Sequence, residues 1–230
     1  MIAVALKTCA RDFLTSYLLL SCIPYPGLYL AYRLAALGYR RIPIPLSRQY
    51  KIHNPDAAYF VTFTVVNWID VFTRECYRDL FLDSVRFCQQ EKKLIVHAYC
   101  IMSNHIHMIL STSGDQPLSG IIRDLKKFTS VKIIQAIEQN SQESRREWML
   151  WMFARAGQKN SNNRHYQFWQ QHNHPIELFD DKIMEQKLEY IHQNPVSAGI
   201  VLSPEEYYYS SAKNYAGLGM EALLEVELIG

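Results

Sequence analysis

The sequence predicts an α+β domain of ferredoxin-like architecture, an antiparallel sheet with helices packed on one face. Three observations carry this. Strand, helix, strand, strand and helix follow one another between residues 59 and 139. The two-residue turn Ser103-Asn104 forces its flanking strands into antiparallel contact. The segment 118–139 has a sustained apolar stripe at three-and-four spacing, which supplies a helix to pack on the sheet.

The elements follow in order. Tyr59 to Val66 (YFVTFTVV) alternates aromatic and β-branched residues with threonine, the pattern of a strand. Cys76 to Gln90 places Leu80, Phe81, Ser84, Val85 and Cys88 at helical spacing, and Glu91-Lys92-Lys93 closes the helix with charge. Strands are expected over Leu94 to Met102 and His105 to Ser111. Leu118 to Gln139 carries Ile121, Ile122, Leu125, Phe128, Val131, Ile134 and Ile137 on one face and Arg123, Lys126, Lys127 and Lys132 on another, which makes it the clearest helix. A short helix follows over Arg145 to Arg155, a loop over Gly157 to Asn163, and a short strand over Tyr166 to Trp169. Asp180-Asp181 opens a last helix that runs to about Asn194, where Pro195 is expected to end it.

At 230 residues the chain fits one large domain or a core with an appendage, and no internal repeat is evident. Hydrophobic content of 49% with 20% charged residues excludes a wholly disordered or fibrous protein. The net charge of +2 conceals segregation: residues 123–164 hold nine basic and four acidic groups, and 177–230 hold three basic and ten acidic. Such a distribution permits a polyanion-binding face without a high overall charge.

The five cysteines, Cys9, Cys22, Cys76, Cys88 and Cys100, are odd in number and form no Cys-x-x-Cys pair, so reduced structural thiols and a cytoplasmic location are expected. Phe13 to Tyr32 is an uncharged run of twenty residues flanked by Arg11 and Arg33. Pro24, Pro26 and Gly27 interrupt it, which argues for an N-terminal extension rather than a membrane anchor or signal peptide.

Two histidines carry the most specific chemical signal. His105-Ile106-His107 lies in a predicted strand, where period-two geometry sends both imidazoles to one face. Such a pair can chelate one divalent ion and leave positions open for substrate oxygens. Partly exposed strand histidines without a ligand are the plain alternative. His172-Asn173-His174 precedes Pro175 in a polar stretch and reads as a loop. A triple-histidine nucleotide hydrolase would need histidine in place of Ile109, and the two His-x-Thr/Ser motifs of a two-histidine phosphoesterase are not found.

The last helix adds a tyrosine. With Ile183 at zero and about 100° per residue, Met184, Leu188 and Ile191 define a buried stripe. Tyr190, Asn194 and Lys187 share a neighbouring face, at about 340°, 20° and 40°. A nucleophile, a metal ligand and a phosphate contact fit these three side chains, although a boundary tyrosine with a buried ring and a wet hydroxyl accounts for Tyr190 equally.

MSNHIHMIL, followed some eighty residues later by LEYIHQNPVSAGIV, resembles the REP-associated tyrosine transposases, a branch of the single-tyrosine HUH transposases. FWQQHNHPIEL and YFVTFTVVNW fit the same group, so the resemblance covers residues 49 to 215. It leaves 1–48 as an extension and 216–230 as a C-terminal tail. The resemblance implies a ferredoxin-like fold in which His105, His107 and Asn194 hold Mg2+ or Mn2+ and Tyr190 attacks DNA. Many relatives carry glutamine where Asn194 stands. It implies a 5′-phosphotyrosine intermediate with a free 3′ hydroxyl, and single-stranded DNA beside a hairpin as partner. No small-molecule cofactor and no membrane are called for, and a homodimer is left open.

DNA contacts are expected from Arg123, Lys126, Lys127, Lys187, Arg145 and Arg146. Trp148, Trp151, Tyr166 and Trp169 could stack on unpaired bases, with core packing the favoured account of the tryptophans. Two other classes stay open: a non-catalytic binder of single-stranded nucleic acid, and a metal-dependent phosphodiesterase that uses water and leaves no covalent adduct.

Overall fold

The computed structural model describes residues 52–160, 165–218 and 223–229. The extension expected over 1–48 lies outside the described residues.

The elements are β1 (Tyr59–Thr64), α1 (Glu75–Lys92), β2 (Leu94–Ile101), β3 (His105–Thr112), α2 (Leu118–Gln139), α3 (Arg146–Gln158), β4 (Ile176–Glu177), α4 (Asp181–Ser197) and α5 (Ala212–Tyr215). Two 3-10 turns, Val66–Trp68 and Val71–Thr73, join β1 to α1, and a third spans Pro204–Glu206. The four strands form one antiparallel sheet in the order β2-β3-β1-β4. The α+β expectation holds, and the histidine strand β3 sits inside the sheet rather than at its edge.

Both faces of the sheet are apolar. Tyr59, Val61, Phe63, Ile106, Met108 and Leu110 point to one side, where Phe81, Leu82 and Val85 of α1 and Ile121, Leu125 and Ile133 of α2 cover them. Phe60, Ala98, Cys100 and Ile109 point to the other side and are covered by Leu178 and by Ile191 of α4, with Ile183, Met184 and Leu188 half-buried around them. Helices therefore lie on both faces, which corrects the expectation of one. Nearly every residue of β1, β2 and β3 is buried, and strands apolar on both sides need a layer over each. This places α4 over the side to which His105 and His107 point.

Three local expectations are corrected. Tyr166–Trp169 forms no strand, because Phe168 and Trp169 turn into the core and only Trp169 makes an isolated bridge, to Val65. Pro195 lies inside α4 and does not end it: proline removes one donor, and the turn beyond is closed by Ala198 N donating to Asn194 O. The short β4, which follows Pro175, was not foreseen because its two residues carry too little periodicity to read.

The exposed edge of β2 is covered. Ile101 N donates to Tyr209 O, Ser211 N to Tyr99 O and Glu227 N to Val96 O. The tail expected from 216 onward thus contributes residues 223–229 along this edge, with Leu224 buried. Among the described residues, no helix is long and apolar enough to cross a membrane.

Candidate active site

Strand pairing builds the first half of the site. Thr62 stands opposite His107 and Thr64 opposite His105 in the β1–β3 register, so all four side chains share one face. The two imidazole rings lie edge to face with centroids 4.7 Å apart. The Thr62 hydroxyl is 2.9 Å from His107 Nδ1. Asn104 Oδ1 lies 2.7 Å from His105 Nδ1. Asn104 is itself oriented, since its Nδ2 donates to Asp70 Oδ1 at 3.0 Å, which turns its carbonyl oxygen toward His105. An amide oxygen can only accept, so His105 carries its proton on Nδ1 and keeps a lone pair on Nε2.

The last helix supplies the other half. Asp180 caps α4, its Oδ1 accepting from Ile183 N at 2.8 Å. With Ile191 held in the apolar layer, the preceding Tyr190 lands beside the histidines: its ring is edge-on to His107 at 5.1 Å and to Phe60 at 5.9 Å, and 49% of the residue is exposed. Asn194, one turn later, is near enough to the His105 side chain to act on its proton affinity. Lys187, one turn earlier, sets its ammonium 5.1 Å from the Phe60 ring centre and 5.8 Å from that of Tyr190. His105, His107, Lys187, Tyr190 and Asn194, expected from sequence to work together, are brought together.

Electrostatics keep the imidazoles neutral. Burial, with the nearby charges of His105 and Lys187, pulls His107 down to about 3. Burial also lowers His105, against the opposing effects of the Asn194 hydrogen bond and the Asp70 charge. Two neutral imidazoles with their Nδ1 atoms engaged by second partners are fitted to bind a divalent ion, and an amide oxygen adds a hard donor. Among the described residues, no group of three or more His, Cys, Asp or Glu side chains offers a competing metal site.

Two cations expected to meet DNA also hold parts of the fold together. Arg145 donates to both carboxylate oxygens of Glu143, to Asp70 O and to Thr73 Oγ1. Burial would raise the Glu143 carboxyl, but Arg145 and Arg74 hold it down to about 2. Arg145 is therefore a structural clamp that ties Glu143 to Asp70 and Thr73. Lys126 donates to Gln170 O and Asn173 Oδ1, both at 2.6 Å, so it is not a freely solvated cation on the outer helix face. Arg123 and Lys127 are exposed, Arg123 bonding Asp124, while Arg146 is half-buried at the start of α3. Trp169 packs in the core as expected, but Trp148 and Trp151 are 50% and 55% exposed, which corrects the core-packing account for those two.

Sequence reasoning missed Thr62, Asn104, Asp70 and Trp68. Thr62 and Thr64 had a signal, since they break an apolar strand at alternate positions facing the histidines. Trp68 had none: it adopts a φ of 56°, uncommon for a bulky side chain, and its ring stands edge-on to His105 at 5.8 Å.

Residues 55–154 match the family model described as Transposase IS200 like. This region is similar to the IS200-like transposases. The resemblance read from the motifs is borne out, and the matched region includes both histidines, whereas Tyr190 and Asn194 lie beyond it. The fold is shared with a solved REP-associated tyrosine transposase bound to a REP hairpin, at 14% identity and a TM-score of 0.53, over 77% of this chain and 89% of that one. A candidate transposase from Deinococcus radiodurans R1 is also similar, at 14% identity and a TM-score of 0.39, over 62% of this chain and 94% of that one. Among curated proteins, none matches.

Proposed function

We propose that this chain cuts and rejoins single-stranded DNA through a covalent link between Tyr190 and a 5′ phosphate. The observation that carries the reading is the meeting of Tyr190, Asn194 and Lys187 of α4 with His105 and His107 of β3, across the sheet face that α4 covers. The half-exposed tyrosine is open to a substrate, and Lys187 is placed to meet a phosphate oxygen beside its ring.

His105, His107 and Asn194 would hold magnesium or manganese, which supplies positive charge to polarise the scissile phosphate when bound. Tyr190 Oη attacks phosphorus in line. A bond from Tyr190 Oη to phosphorus forms, the bond from phosphorus to the 3′ oxygen breaks, and a proton lost by the phenol is balanced by one gained at the 3′ hydroxyl. Phosphodiester energy is retained in the phosphotyrosine, so attack by another 3′ hydroxyl rejoins the strand without an external energy source. Single-stranded DNA next to a hairpin is the substrate this reading assigns, in keeping with the hairpin bound by the solved relative.

Incubation with a labelled hairpin oligonucleotide and manganese, followed by a denaturing gel, tests it. The native protein should shift with the DNA attached. Tyr190→Phe should reduce this adduct to background while binding the oligonucleotide within a few-fold, since only the hydroxyl is lost. Uncut DNA with the native protein points to a non-catalytic binder. Free fragments with no adduct point to a phosphodiesterase that uses water.

A further inference from the structure

An open cleft of about 820 Å³ lies between α2 and the segment 166–175, and it shares no lining residue with the tyrosine and histidine cluster. Arg123, Lys126 and Lys127 line one wall, His172 and His174 the other, and none of the lining residues is acidic. Lys126 is the unusual member. Its ammonium is held between Gln170 O and Asn173 Oδ1, two neutral acceptors. Burial brings its pKa down to about 8, and no carboxylate contributes an opposing pull. A half-buried cation served only by neutral oxygens gains from an anionic acceptor, and phosphate oxygens are such acceptors. The half-buried Tyr166 supplies an aromatic surface in the same cleft, and Gln171 and Asn173 supply amides.

The cleft is joined to the candidate active site by its own wall. Asn173 accepts from Lys126 through its side chain and from Thr62 N through its carbonyl oxygen. Thr62 in turn bonds His107, and Gln170 N donates to Thr64 O two residues along β1. Three hydrogen bonds therefore separate the Lys126 ammonium from the His107 ring.

We propose that this cleft is a second DNA-binding site, which holds an unpaired stretch of the same strand, with a backbone phosphate at Lys126 and neighbouring phosphates at Arg123 and Lys127. It positions the strand beyond the scissile phosphate, and it rests on the nicking reaction proposed above. The closeness of the two sites across Thr62 and Asn173 is what allows one strand to occupy both.

Fluorescence anisotropy with a labelled single-stranded oligonucleotide tests the cleft without divalent ion, in a Tyr190→Phe background that cannot cut. Arg123→Ala combined with Lys127→Ala should weaken binding at least tenfold and flatten the plot of log affinity against log salt by about 1.4, which is two phosphate contacts. Ser119→Trp fills the cleft from an exposed position of α2 while leaving Lys126 in place, and it should weaken binding to a similar degree. Affinity and salt slope unchanged in both variants overturn the proposal. The two readings fail separately. If the native protein forms a covalent adduct and the cleft variants bind normally, only the cleft is wrong. If the variants lose binding and no adduct ever forms, the cleft stands and the nicking reaction falls.

Discussion

His107 is 5% exposed and its pKa lies near 3, so near neutral pH it is a neutral ring with a lone pair to offer. His105 is less enclosed and is oriented by Asn104 and Asp70. Removing each ring should have different consequences. His105→Ala should lose manganese binding in calorimetry and lose DNA cleavage, with a stability change below about 1 kcal/mol. His107→Ala should lose both and also about 2 kcal/mol in urea unfolding, because it empties a buried space and strands the Thr62 hydroxyl. Retained manganese binding in both variants would remove the assigned ligands. The pair was legible in the sequence because strand periodicity alone puts residues 105 and 107 on one face. The burial of His107 was not, since it depends on α4, Phe60 and Lys187 closing over the ring. For the same reason Arg145 read as a surface cation: Glu143 and Asp70 become its partners only once the chain is folded.

Helix α4 aims Tyr190, so what clamps α4 controls the proposed chemistry. Ile191 enters the apolar layer, and His192 Nε2 lies 2.9 Å from Ser211 Oγ, which in turn accepts from Tyr99 N of β2 at 3.0 Å. Burial lowers His192 to about 4, below its unfolded value of 6.5. The unfolded chain therefore takes up this proton first, and stability falls as pH drops from 6.5 toward 4, by at most about 3 kcal/mol. Urea midpoints measured without divalent ion should decline across that window, less steeply in His192→Gln. A midpoint that rises on acidification contradicts the clamp. At this scale the sequence was most readable where one element has one apolar face: α2 was expected over Leu118 to Gln139 and spans those residues. Periodicity shows that a face is buried but not against which layer, so the sheet face covered by α4 had to come from the structure.

Across the whole molecule, charge segregated along the chain becomes charge segregated in space. The basic stretch 123–164 contributes most of α2 and all of α3, and α2 covers the sheet face opposite α4. The outer surface of α4 carries exposed Asp181, Glu185 and Glu189, which leaves Lys187 as the cation turned toward Tyr190. These carboxylates repel a DNA backbone, and the effect is strongest at low ionic strength. Glu185→Gln combined with Glu189→Gln should raise oligonucleotide affinity by roughly two- to fivefold at 50 mM salt and leave it nearly unchanged at 500 mM, as read by anisotropy. An equal gain at both salt concentrations would show that the carboxylates act by something other than their field. The central claim is the covalent bond to Tyr190, and peptide mapping of the protein after incubation with manganese and hairpin DNA tests it most directly. Cleavage after lysine releases Leu188–Lys213, a peptide with four tyrosines, Tyr190 and Tyr207 to Tyr209. After nuclease trimming, fragmentation in the mass spectrometer should place the added nucleotide on Tyr190. An adduct on Tyr207, Tyr208 or Tyr209, or none on this peptide, contradicts the account.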